Sequence, residues 1–371
     1  ETTIKISAEC SFYNIFAEYT VKVNAENYVI TDSPRYKLTT MEVPDGELKT
    51  TGKITATAVL DKVKQENPSL NFISDNEGVA TVDDSGNITA VGEGEARVTV
   101  TFTNGENSYK ATAVVEVSKP QIATALSFEY EIGDELALPA YDIADFAKEN
   151  IIGVYESDLN AYENGKINKQ IIIGSPDYKA IIVETRLARY QVSLRVINAK
   201  IASKADMDNI TDKLAKFSAG DGDKDGYYFD GYIEFVNNIF YNGEYKGFAD
   251  LASLENDGSK NGFKGKINGN GKTISGLKFT AENTAFTYAL ISGGEIYDLK
   301  FANCSTSAVA TAVVAVKLGD ARVSGVSVEA ELITDGIPAA IPQSRGVAFS
   351  QIVGSNAKMD GVEIINKVAN A

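Results

Sequence analysis

One short apolar pattern returns four times in the last third of the chain and constrains its fold more than anything else in it. It reads Ile274-x-x-Leu277-x-Phe279, Ile296-x-x-Leu299-x-Phe301, Val323-x-x-Val326-x-Val328 and Met359-x-x-Val362-x-Ile364, with first members 22, 27 and 36 residues apart. A pattern returning at tens of residues implies stacked coils, because one coil cannot bury its apolar face without a neighbour. The residue before each central anchor is Gly276, Asp298, Gly325 or Gly361. These types tolerate left-handed backbone, so each coil is expected to bend there between two short strands. Upstream partner strands are expected at Ala289-Leu290-Ile291, Val313-Val314-Ala315-Val316 and Phe349-Ser350-Gln351-Ile352-Val353.

The 371 residues exceed one ordinary core and suggest roughly two to four domains. At 44% hydrophobic and 23% charged, the composition is globular. No apolar run approaches the ~20 residues needed to span a bilayer, and the polar opening at Glu1 reads as a mature secreted chain without its signal peptide. The formal charge of −16 repels phosphate backbones and anionic lipid, which makes nucleic acid and membrane surfaces poor partners. The chain has no histidine, which removes histidine-based nucleophile systems and imidazole-ligated zinc. Cys10 and Cys304 fall near opposite ends and read as small, unpaired residues.

From residue 2 to 117 the sequence alternates apolar and polar residues between short turns, the pattern of half-buried strands. Ile4, Ile6 and Ala8 form one such set, and Tyr19, Val21 and Val23 another. Val79-Ala80-Thr81-Val82 leads through the turn Asp84-Ser85-Gly86-Asn87 to Ile88-Thr89-Ala90-Val91, then through Gly92-Glu93-Gly94 to Ala96-x-Val98-x-Val100-x-Phe102. The tip Asn104-Gly105-Glu106-Asn107 turns the chain back through Ala111, Ala113, Val115 and Val117, completing a β-sandwich pattern. The run from Phe72 through Val79-Ala80-Thr81-Val82-Asp83 and Gly86-Asn87-Ile88-Thr89-Ala90-Val91 to Gly94 resembles the bacterial group 2 Ig-like domain over about residues 39–119. It departs from that family at Phe72, where tryptophan is usual; an aromatic of that size still fills a core. The resemblance implies a spacer or adhesion module on a bacterial surface protein and carries no catalytic residues. Residues 1–38 are then strands packing on, or preceding, this module.

Lys119-Pro120 reads as a boundary, since proline ends strand pairing. Residues 120–202 are again strand-like, with Leu126-x-Phe128-x-Tyr130-x-Ile132, Ile171-Ile172-Ile173 and Ile181-Ile182-Val183, and suggest a second sandwich-like module. A helix is expected over 205–217, where Met207, Ile210, Leu214 and Phe217 share one face and Ser203 caps the start. It would lie over the open end of the first coil. The series Gly226-Tyr227-Tyr228, then Phe263-Lys264-Gly265-Lys266-Ile267-Asn268-Gly269-Asn270-Gly271-Lys272-Thr273-Ile274-Ser275-Gly276-Leu277, resembles the GLUG-type right-handed β-helix of bacterial surface proteins over about 203–371. The later coils drift from that pattern, and the resemblance implies location and shape more than activity. A leucine-rich repeat is the rival. It needs Asn or Cys at the ninth position of each repeat, where this chain has Glu282, Cys304, Glu331 and Lys367. The expected fold is therefore all-β, Ig-like sandwich modules followed by a short right-handed parallel β-helix with a helical cap.

Chemistry-bearing motifs are few. Asp221, Asp223 and Asp225 match the first half of a calcium loop, but Tyr232 stands where the closing acid belongs, so an acidic solvated connector is the plainer reading. Eight aromatics, Tyr227, Tyr228, Phe229, Tyr232, Phe235, Phe240, Tyr241 and Tyr245, offer a sugar-stacking platform or, more ordinarily, core. Aligning the four repeats places Ser275, Tyr297, Ser324 and Asp360 in one outward column and Lys278, Lys300, Ser327 and Glu363 in another. Neither sets two acids side by side, as glycoside hydrolysis requires. The alanine-rich segment 308–316 offers a further docking surface. The expectation is a monomeric, non-catalytic extracellular protein without cofactor, binding a glycan or host-surface protein; a structural stalk and a polysaccharide-cleaving β-helix enzyme are the alternatives.

Overall fold

Alternating burial and glycine-bearing turns produce an almost purely β chain in the computed structural model, which describes residues 2–10, 15–23, 26–44, 46–136, 150–218, 227–248, 262–333 and 346–367. It divides into two compact units, Glu1–Ile122 with Thr185–Tyr190, and Ala123–Glu184 with Gln191–Ala371.

In the first unit Thr2–Cys10 and Ile15–Val23 pair as an antiparallel hairpin. A four-stranded sheet orders Arg35–Thr39, Asn107–Ser118, Gly94–Asn104 and Leu70–Ser74, and a three-stranded sheet orders Thr51–Lys53, Asn87–Ala90 and Ala80–Val82. Along Gly94–Asn104 every second residue from Ala96 to Phe102 is buried, because a strand turns alternate side chains to one face. Phe72, Ile88, Val98, Val100 and Val115 form one core with Val29 and Leu38, so the strands Tyr28–Thr31 and Arg35–Thr39 share it. The turn into Asn87–Ala90 is fixed by the Asp83 carboxylate, which accepts from the N–H groups of Ser85 (2.9 Å) and Asn87 (2.8 Å). Gly86 sits there at φ +80°, and a Cβ would come within 2.3 Å of the Ile54 carbonyl oxygen, so no other residue fits.

Gln121–Glu131, Arg189–Ile197, Lys179–Thr185 and Ile151–Tyr155 form a four-stranded sheet whose residues fall mostly in the second unit, with the hairpin Tyr162–Glu163 and Lys166–Ile167. Residues Ala123–Glu184 share their compact unit with the coils that follow.

Those coils stack into three sheets. Sheet A orders Ala199–Ile201, Tyr232–Phe235, Lys266–Asn268, Glu295–Tyr297, Arg322–Ser324 and Lys358–Asp360, all parallel. Sheet B orders Ala215–Ser218, Tyr227–Asp230, Gly262–Phe263, Thr287–Leu290, Ala315–Leu318 and Phe349–Ile352, parallel after its first pair. Sheet C orders Ile239–Glu244, Thr273–Phe279, Lys300–Thr306, Ser327–Leu332 and Glu363–Asn366, all parallel. Three parallel sheets wound in sequence order make a parallel β-helix, and the single-sheet curvature of a leucine-rich repeat is absent. Inward columns such as Ala199, Ile233, Ile267, Ile296 and Val323 run along one continuous core. Its centre is aromatic: the Phe286 ring lies 5.0 Å from Phe248 and 5.3 Å from Phe301, both near perpendicular.

The register corrects the repeat alignment. Ile274 pairs with Phe301, whereas the partner of Ile296 in the preceding coil is Ile267. The coil of Ile267 carries two extra residues between those positions, and Asn270 and Gly271, both left-handed, absorb them in a wider corner. Asp298, Gly325 and Gly361 are the left-handed corners expected of them, at φ 51°, 59° and 60°. Gly276 is instead left-handed inside Thr273–Phe279, level with left-handed Asn242 and Asn303 of the flanking coils.

The single helix expected over 205–217 is two short ones, α1 (Lys204–Asp208) and α2 (Ile210–Lys213), and Phe217 lies in the strand Ala215–Ser218. Asn209, at φ −106° and ψ 9°, interrupts the helix, and Leu214 is already extended. Ser203 caps α1 as expected, its side chain accepting from the Asp206 N–H. Met207, Ile210 and Leu214 are buried in the β-helix core and close its first coil.

Candidate functional site

A strand with its middle residue turned inward presents its first and third residues to the outside. Sheet A therefore carries two columns that point out of the coil: Lys200, Glu234, Asn268, Tyr297, Ser324, Asp360, and beside it Tyr232, Lys266, Glu295, Arg322, Lys358, of which Tyr232 and Glu234 are buried beneath Arg195. The corrected register replaces Ser275 with Asn268 at the head of Tyr297, Ser324 and Asp360, and Lys278 with Thr273 at the head of Lys300, Ser327 and Glu363. Neither sheet A column sets two carboxylates on adjacent coils. Glu295 lies between two cations, 3.8 Å from Lys266 and 3.7 Å from Arg322.

The upper end of this face is a hydrogen-bonded cluster. The Arg195 guanidinium donates to both Glu234 oxygens at 3.1 Å and pairs with Glu129 at 3.1 Å, while Lys200 pairs with Glu129 at 3.3 Å. Asn270 donates to Glu234 (3.1 Å) and to the Phe235 carbonyl (3.0 Å), and Asn268 donates to the Tyr232 hydroxyl (3.2 Å). Burial pulls the Arg195 pKa down, but the Glu234 and Glu129 charges more than offset it and raise the pKa above its ordinary value. Burial, then the neighbouring Tyr232, holds the Tyr297 hydroxyl protonated well beyond the usual tyrosine range. Such groups orient hydrogen bonds without titrating near neutral pH. The lower end opens into a corner cavity of about 420 Å³ lined by Gly293, Gly294, Glu295, Asp320, Arg322 and Lys358, among others.

The aromatic-rich segment is mostly core. Phe229, Tyr232, Phe235, Tyr241 and Tyr245 are buried, Tyr227 and Tyr228 are half-buried, and Phe240 alone of the eight is exposed, at 76%. Lys216 lies over the Tyr227 ring (4.4 Å) and Lys264 over Tyr228 (5.2 Å), which occupies those faces with cations. Segment 308–316 is no docking surface, since Thr311 through Val316 are buried within the protein's own interior. Asp221, Asp223 and Asp225 lie outside the described residues, and among the described residues no cluster of three or more acids or cysteines is placed to hold a metal. Cys304 is buried and free, its thiol pushed up to about 11 by burial.

Sequence reasoning missed the Arg195 cluster, because nothing marks a partner 39 positions away. The signal lay in Lys266-Ile267-Asn268: aligned on Ile296, it would have placed Asn268 below Glu234 and exposed the true column.

A sandwich unit and parallel-strand coils with a polar outer face make this an all-β, modular protein. Within it, residues 48–115 match the family model of the bacterial Ig-like domain (group 2). No curated protein sequence matches the chain. Domains of this family occur in bacterial surface proteins, which indicates a bacterial surface or adhesion-type protein. Among the described residues no helix is long and apolar enough to cross a membrane.

Proposed function

We propose that this is a non-catalytic, extracellular bacterial surface protein that binds a glycan or a host-surface ligand on the outer face of sheet A. The carrying observation is the pair of outward columns, which repeat donors, acceptors and charges at the ~4.8 Å spacing of neighbouring strands. An extended chain of sugar hydroxyls suits such a face, since each residue along it meets a similar set of partners. The lack of paired acids on this face argues against hydrolysis. The net charge of −16 argues against nucleic acid as the partner. In this reading 39–119 is the Ig-like spacer, 1–38 and 120–202 flank it, and 203–371 is a GLUG-type β-helix that displays the ligand face.

A glycan and host-protein binding screen on the full chain tests it. Binding is expected, weakened about tenfold by Tyr297→Ala or Arg322→Ala, a loss of roughly 1.4 kcal/mol. Binding that ignores both substitutions would move the ligand off this face. Silence across the screen would favour a structural stalk.

A further inference from the structure

We infer that the ligand of sheet A is an acidic polysaccharide, a chain of uronic acid residues whose carboxylates are held by Arg322 and Lys266. This rests on the reading of sheet A as the ligand face and names the chemical class that suits it. Lys266, Glu295, Arg322 and Lys358 succeed one another in register on neighbouring strands, at the ~4.8 Å spacing of a sheet. The Glu295 side chain is 22% exposed, against 43% for Lys266 and 55% for Arg322. The acid is drawn in between its neighbours, and what the column presents to solvent is positive. Its separations from them, 3.8 Å and 3.7 Å, are too long for hydrogen bonds. The side-chain N–H groups of Lys266 and Arg322 therefore have no hydrogen-bonded acceptor among the described residues.

An ionised carboxylate satisfies such donors better than a neutral hydroxyl does. Arginine's planar fork takes both oxygens of a carboxylate in parallel bonds, and a lysine ammonium adds a point charge. Glu295 stands nearest the Nε of Arg322, so both terminal nitrogens of the guanidinium are left for a ligand. In the column beside them Asn268, Tyr297 and Ser324 follow in register and offer uncharged partners to sugar hydroxyls. The corner cavity of about 420 Å³ next to Arg322 gives a ring somewhere to sit. Asp320 also lines that cavity, but one of its oxygens already accepts from the Asn356 N–H at 2.7 Å. Asp360 shares a strand with Lys358 and stands one coil beyond Ser324. The net charge of −16 does not cancel this local arrangement. At physiological salt, exposed charges more than about 8 Å away are largely screened, so a ligand carboxylate reads the groups beside it.

Calorimetric titration of the full chain with a soluble polyuronate, and with the same polymer after its carboxyls are methyl-esterified, tests the inference. The free acid is expected to bind, less tightly as salt is raised, and the ester to bind about tenfold more weakly. Arg322→Gln and Lys266→Gln are each expected to weaken binding of the acid several-fold and to leave the ester's affinity unchanged. Glu295→Gln removes the nearest negative charge and is expected to tighten binding of the acid. All three side chains lie on the surface, and circular dichroism is expected to stay unchanged. Equal affinity for acid and ester overturns the acidic class while leaving sheet A as the ligand face. Affinity for the acid that ignores both Arg322→Gln and Lys266→Gln overturns the inference too. A sulfated dextran bound more tightly than the polyuronate overturns the carboxylate as the group recognised. Silence toward every glycan, charged or neutral, removes the sheet A reading itself and this inference with it.

Discussion

Asp298 occupies a corner where the next two coils place glycine. Its φ is 51°, and its N–H donates to the Ser324 carbonyl at 3.0 Å, so the corner holds its geometry by bonding along the helix axis. Aspartate tolerates the left-handed region, whereas a β-branched side chain does not. Asp298→Val is expected to destabilise the β-helix by about 1–2 kcal/mol, and Asp298→Gly to cost little, both read from chemical denaturation. Equal losses for the two would show that the carboxylate, not the backbone, matters here. These corners were legible in sequence because few residue types accept that conformation. Gly276 was misplaced for the same reason: a left-handed residue marks a bend without saying whether it lies at a corner or within a strand.

Two short helices close the first coil, and their anchoring is electrostatic as well as apolar. Asp206 accepts from the Ser203 hydroxyl (2.8 Å) and the Ala202 N–H (3.0 Å). Burial raises its pKa, but those hydrogen bonds more than offset this and leave it below the ordinary aspartate value. A carboxylate whose folded pKa is lowered stabilises the fold above its unfolded value and loses that contribution as pH falls through the lowered one. The stability gap between wild type and Asp206→Asn is therefore expected to be full at neutral pH and to close as pH falls below the ordinary aspartate range. A gap constant with pH would mean that hydrogen-bonding shape, not charge, holds the cap. The apolar face of this element was legible through Leu214, since spacing by three and four residues needs no partner to be recognised. Its end was not legible, because Phe217 continues the helical spacing while pairing as a strand, stacked 5.3 Å from Tyr228. Pairing with a distant strand overrides local periodicity.

At the scale of the molecule, the architecture was written in apolar periodicity and the site was not. Inward columns need only a greasy residue at each turn, and substitution among Ile, Leu, Val and Phe keeps them readable. Outward columns depend on register, and a two-residue change in one corner moved every outward neighbour of the Ile267 coil. The same division into columns predicts how the chain unfolds. Val98, Val100 and Val115 belong to one core, and Ile296, Phe301 and Val328 to another. Each core is large enough to melt as its own cooperative unit. Calorimetry is expected to show at least two transitions. Phe301→Ala, which empties a fully packed aromatic site, is expected to cost about 3–5 kcal/mol and lower only the transition of the β-helix. Val98→Ala is expected to lower only the other. A single transition shifted by either substitution would show that both cores melt as one, and the Ig-like unit would then be part of the coil's folding rather than a spacer that folds by itself.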